Sequence, residues 1–92
     1  MAESDDGRLS AKELSQAARS TVEELTGYTA EAVTALEWDD EFWQVTVDVL
    51  ELSRVPNTTD VIGTYAVQLD ERGTLRGYRR TRRYVRGQVE GS

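Results

Sequence analysis

Trp43-Gln44-Val45-Thr46-Val47-Asp48-Val49 and, after a short connection, Asp60-Val61-Ile62-Gly63-Thr64-Tyr65-Ala66-Val67-Gln68-Leu69-Asp70 decide the fold. In the first run Trp43, Val45, Val47 and Val49 alternate with Gln44, Thr46 and Asp48, the period of a strand with one buried face. The second run places Val61, Tyr65, Val67 and Leu69 on one side in the same way. β-branched and aromatic residues suit a pleated, half-buried surface. Two such runs joined by a polar connection predict an antiparallel pair at the centre of a sheet. Beyond Val49 the alternation breaks. A bulge near Val49 returns Leu50 and Leu52 to the core; a regular strand instead places them with Phe42 as an apolar patch on the other face.

Outward from this pair, the N-terminal side predicts a helix. Ser10-x-x-Glu13 has the spacing of a capping box. Leu14, Ala17, Ala18, Thr21, Val22 and Leu25 then recur on one helical face. Gly27 fits the left-handed position that closes a helix. The stripe of Leu14, Ala18, Val22 and Leu25 is expected to face Trp43, Val45, Val47, Tyr65, Val67 and Leu69. Residues 31–38 read as a further strand, bulged because Val33, Ala35, Leu36 and Trp38 share no single alternation. Asp39-Asp40-Glu41 is a polar turn. Neighbouring strand residues point to opposite faces, so these carboxylates do not converge on a metal.

On the C-terminal side, Arg54-Val55-Pro56 begins the connection between the central strands. Pro56 fixes its own φ and extends Val55, and Arg54 is placed to pair with Asp60. The connection reads either as a stiffened hairpin or as a recognition loop. Asp70 to Gly73 forms a second turn, with Gly73 at positive φ. The last strand, 74–84, carries Arg79, Arg80, Arg82 and Arg83 between Tyr78 and Tyr84. In a regular strand Tyr78, Arg80, Arg82 and Tyr84 share one face, and Arg79, Thr81, Arg83 and Val85 the other.

The chain has 92 residues, enough for one small domain. Residues 1–9 are expected to form a disordered acidic arm, 10–86 a single domain and 87–92 a flexible tail. Residues 1–70 hold 15 acidic and 4 basic side chains, net −11, and residues 71–92 hold 2 acidic and 7 basic, net +5; these sum to the −6 of the whole. That asymmetry favours a charged partner or self-association. The arginine strand has three readings: pairing within its own sheet, docking an acidic protein, or binding nucleic acid. The −11 body opposes the last, because it repels a phosphate backbone. The chain lacks His and Cys, so the commonest general base and the thiol nucleophile are absent. No phosphate-cradling glycine motif occurs. The expectation is a non-enzyme without metal or cofactor. No apolar run approaches the roughly 18 residues of a membrane helix, so no membrane insertion is expected, and the absence of cysteine points to the cytoplasm.

Trp43-x-Val45-x-Val47-Asp48-Val49-x-Glu51-x-x-Arg54-Val55-Pro56-x-x-x-Asp60-Val61-Ile62-x-x-Tyr65-x-Val67-x-Leu69-Asp70, continued by Tyr78-x-Arg80-x-x-Arg83-Tyr84-x-Arg86, resembles the gas vesicle protein O (GvpO) family. The resemblance implies an accessory role in gas vesicle assembly, contact with other gas vesicle proteins, and association with the vesicle. A role in vesicle gene expression is also compatible with the resemblance, though no DNA-binding motif accompanies it. Periodicity independently predicts an α+β fold: an N-terminal helix packed on one face of a three- to four-stranded antiparallel β-meander. Candidate partner-binding residues are Arg54, Val55 and Pro56 in the loop and Arg79, Arg80, Arg82 and Arg83 in the last strand. The alternative is a small-ligand-binding or inhibitory module of cystatin-like or PepSY-like outline, using the concave face of a curled sheet.

Overall fold

The computed structural model describes residues 9–55 and 59–87. Pro56 of the expected loop, most of the expected arm and the end of the expected tail lie outside these residues. One helix, α1 (Ala11–Thr26), precedes four strands: β1 (Thr29–Trp38), β2 (Trp43–Leu52), β3 (Val61–Leu69) and β4 (Leu75–Val85). The strands form one antiparallel sheet in the order β1-β2-β3-β4. This is the expected α+β meander with four strands.

The helix starts and stops where its end residues dictate. Glu13 N–H donates to Ser10 Oγ at 3.2 Å, and Ser10 N–H donates to Glu13 Oε1 at 2.9 Å. Two otherwise orphaned donors are thus satisfied by each other's residue. Gly27 closes the helix at φ 78°, and its N–H donates to Glu23 O.

Leu14, Ala18 and Val22 are buried against Val45, Val47 and Val49 of β2 and Tyr65, Val67 and Leu69 of β3. Val33 and Leu36 of β1 complete this layer. Two expected members differ. Leu25, one turn beyond Val22, is 45% exposed at the end of the helix. Trp43 is half-buried at the end of the sheet, with its ring 5.3 Å from that of Trp38. Leu9, the last residue of the expected arm, packs on the core, and its N–H donates to Glu71 O.

The helix lies across β1, β2 and β3. Residues paired across a ladder share a face, so the register sorts every strand residue into the helix-side face or the bare face. β1 is bulged as expected, with Glu31 and Thr34 as its extra residues. β2 is bulged at Glu51, two residues later than expected. The result is not a return of Leu50 and Leu52 to the core. Leu50 pairs with Ile62 on the bare face, and Leu52 pairs with Val61 and is exposed. Phe42 does not join them, because eight residues of strand separate it from Leu50 by roughly 26 Å. It lies instead under the Arg76 guanidinium, 5.9 Å from its ring centre.

The β3–β4 turn forms as expected. Asp70 Oδ1 accepts from Arg72 N–H and Thr74 N–H, both at 2.9 Å, and Gly73 adopts φ 85°.

Candidate docking surface on the arginine strand

A bulge in β4 decides what its arginines do. Thr64 pairs with Arg82 and Tyr65 with Arg80, so Thr81 is an extra residue in the ladder. Its hydroxyl donates to Thr64 O at 3.2 Å. The extra residue shifts the alternation by one position. Arg80 and Arg83, opposite Tyr65 and Gly63, share the helix-side face. Arg79 and Arg82, opposite Ala66 and Thr64, share the bare face. The sequence expectation had grouped Arg80 with Arg82 and Arg79 with Arg83; a regular alternation fails wherever a strand carries an unpaired residue.

The two pairs have different surroundings. Glu51, the bulged residue of β2, has a side chain only 2% exposed. Its carboxylate accepts from Arg80 Nη1 at 3.0 and 3.2 Å and meets Arg83 Nε at 3.1 Å. The Tyr65 hydroxyl donates to Glu51 Oε2 at 3.3 Å. Burial, and then the Glu51 charge, push the Tyr65 phenol above its usual value. Gly63 makes room for this cluster, since a β-carbon there would overlap the Glu51 carboxylate. Arg80 and Arg83 therefore neutralise a buried carboxylate in their own sheet.

On the bare face, Asp48 Oδ1 accepts from Thr64 Oγ1 at 2.8 Å and Asp48 Oδ2 from Tyr84 OH at 3.2 Å. Burial, and then the Asp48 charge, raise the Tyr84 phenol. Arg82 stacks on the Tyr84 ring at 4.7 Å, a cation–π contact. The Arg79 guanidinium makes no hydrogen bond, ion pair or ring contact among the described residues.

The loop candidate is arranged differently from expectation. Asp60, buried at the start of β3, does accept from Arg54, but from its backbone N–H, at 2.7 Å. The charge partner of Asp60 is Arg86, whose Nε lies 3.3 Å from Asp60 Oδ2. The same guanidinium donates through Nη2 to both Glu31 oxygens, at 2.8 and 2.7 Å, and these bonds raise the Arg86 pKa. Arg86 thus joins the end of β4 to β1, the opposite edge strand of the sheet. Val55 is fully exposed. Arg54 and Val55 border one end of the sheet, and the structure does not bring them together with Arg79 and Arg82.

Sequence reasoning assigns no role to Glu51, Gly63 or Arg86, and pairs Asp60 with Arg54 where the structure pairs it with Arg86. Glu51 left a signal, because it continues the Val45, Val47, Val49 alternation with a carboxylate. Gly63, inside a strand, was the second signal, since such a glycine marks close approach by another group.

Among the described residues, no group of three or more Asp or Glu side chains is placed to hold a metal ion. No helix among them is long and apolar enough to cross a membrane.

Residues 1–90 match the family model described as "Gas vesicle synthesis protein GvpO". The chain is 49% identical over 69 residues to "Gas vesicle protein O" of Streptomyces sp. (strain CB03234), which covers 75% of this chain and 54% of that protein. It is 37% identical over 73 residues to "Gas vesicle protein O1" of Halobacterium salinarum, covering 79% of this chain and 61% of that protein. It is 32% identical over 89 residues to "Gas vesicle protein O" of Haloferax mediterranei, covering 96% and 64%. The chain thus matches between 54% and 64% of the length of these relatives. No solved structure matches it.

Proposed function

This chain belongs to the gas vesicle synthesis protein GvpO family, and from that premise we propose that it is an accessory protein of gas vesicle assembly that docks other gas vesicle proteins and performs no chemistry. The observation that carries the proposal is the family match over residues 1–90, together with the names of its relatives. The charge distribution supports a docking role. Seven arginines lie in residues 71–92, against a body of net charge −11. The helix lies over β1, β2 and β3, so β4 extends beyond it and carries five of those arginines, Arg76, Arg79, Arg80, Arg82 and Arg83, at the sheet edge. Arg54 and Val55 form a second, smaller exposed element at the far end of the sheet.

The test is co-expression with each of the other gas vesicle proteins of the host, one at a time, with capture through a tag on this chain. At least one is expected to be retained at about 0.1 M salt and released at about 1 M, where the Debye length falls from about 10 to about 3 Å. Retention of none, together with normal vesicles in cells lacking this protein, contradicts the proposal.

A further inference from the structure

Both edge strands are unsuited to adding another strand. β1 carries extra residues at Glu31 and Thr34, and β4 at Arg76 and Thr81. Bulges on edges disturb the ladder an incoming strand would need. A partner of β4 is therefore held by side chains on a face. On the helix-side face Arg80 and Arg83 are already engaged by Glu51. The bare face is left, and on it Arg79.

Arg79 stands beside a notch. Gly77, two residues away, points to the same face opposite Gln68. Its φ lies outside the left-handed region, so the backbone does not require a glycine there. What the missing side chain leaves is space: a β-carbon at Gly77 would stand 3.4 Å from Gln68 Oε1. Ala66, Gln68, Gly77, Tyr78 and Arg79 line the resulting depression. A half-turn of the Gln68 amide presents its NH₂ in place of the oxygen. A guanidinium fork, an amide donor and a low floor of Ala66 and Gly77 match one carboxylate.

We propose that this notch receives an Asp or Glu side chain from an acidic segment of a gas vesicle protein, with Arg79 as the ion-pairing residue. The inference rests on the docking role proposed above and names the site and the partner's chemistry. A peptide is favoured over nucleic acid because it sets a few spaced carboxylates on the arginines. A phosphate backbone instead brings a continuous charge that the −11 body repels.

The probe is a fluorescein-labelled peptide of five Glu-Gly repeats, titrated at about 0.05 M salt. Arg79→Gln removes the charge, and Gly77→Val fills the notch with a residue favoured in strands. Both are expected to weaken binding at least about fivefold, or about 1 kcal/mol, while thermal melts stay within about 2 °C of wild type. Arg54→Gln, at the far end of the sheet, serves as control and is expected to leave binding unchanged. Equal loss in all three variants, no loss in either notch variant, or tighter binding of a ten-nucleotide oligothymidylate overturns the inference. The docking role is read separately: if Arg79→Gln protein still captures the vesicle partner that wild type captures, the role stands and the notch is the wrong surface.

Discussion

The carboxylate of Glu51 stands where a β-carbon on Gly63 would be. Glu51 is held in that position by Arg80, Arg83 and Tyr65, so it is not free to swing aside as an exposed glutamate would. Gly63→Ala should therefore destabilise the fold by about 1–3 kcal/mol, the usual range for overpacking a filled site. The diagnostic is a double-mutant cycle with Glu51→Ala, which clears the space. Added to Glu51→Ala, the Gly63→Ala change is expected to cost little. Full additivity of the two changes would show that Glu51 does not press on Gly63.

The bulge at Thr81 predicts which arginine pairs act together. Replacing Arg80 and Arg83 by glutamine strands a nearly inaccessible carboxylate. The two arginines are themselves 45% and 56% exposed, so solvent screens part of the loss, and a cost of about 1–3 kcal/mol is expected. Replacing Arg79, which makes no such contact among the described residues, should cost about 0.5 kcal/mol or less. Denaturant melts of the two variants decide it. An equal loss in both would mean that β4 does not divide its arginines as described.

The two raised phenols give a pH signature. Tyr65 and Tyr84 hold their protons more tightly in the folded protein than the ordinary value of 10.0. As pH rises past that value the unfolded chain releases these protons first. The stability they contribute is complete below about pH 10 and declines above it, through the raised folded values. Urea melts at about pH 9 and about pH 11 should show the decline, and Tyr65→Phe with Tyr84→Phe should flatten it. A double variant that loses stability as steeply as wild type would place the alkaline transition elsewhere. At neutral pH each substitution loses one hydrogen bond, at about 1 kcal/mol.

Much of this architecture is legible in local sequence. The Ser10–Glu13 reciprocity and Gly27 bound the helix because capping depends on residues three or four apart. The alternation of Val45, Val47 and Val49 gives β2 its buried face because the period of a strand is a local property. The faces of β4 are not legible in this way. They depend on Thr81 having no opposite residue in β3, which is a property of the ladder and not of β4 alone. The same holds for Leu50 and Leu52, whose placement follows the bulge at Glu51. Arg86 joins Glu31 across 55 positions of sequence, a pairing that no local pattern encodes. Of the candidate site, the identity of the arginine strand came from composition, and its division into two pairs came from register.

The proposed role in gas vesicle assembly, through the bare-face arginines of β4, is decided by vesicle yield in cells lacking the protein and complemented with Arg79→Gln/Arg82→Gln at wild-type expression level. Folded, abundant variant protein and a severe loss of vesicles in electron micrographs are expected. Vesicles of normal number and shape in those cells would contradict that role.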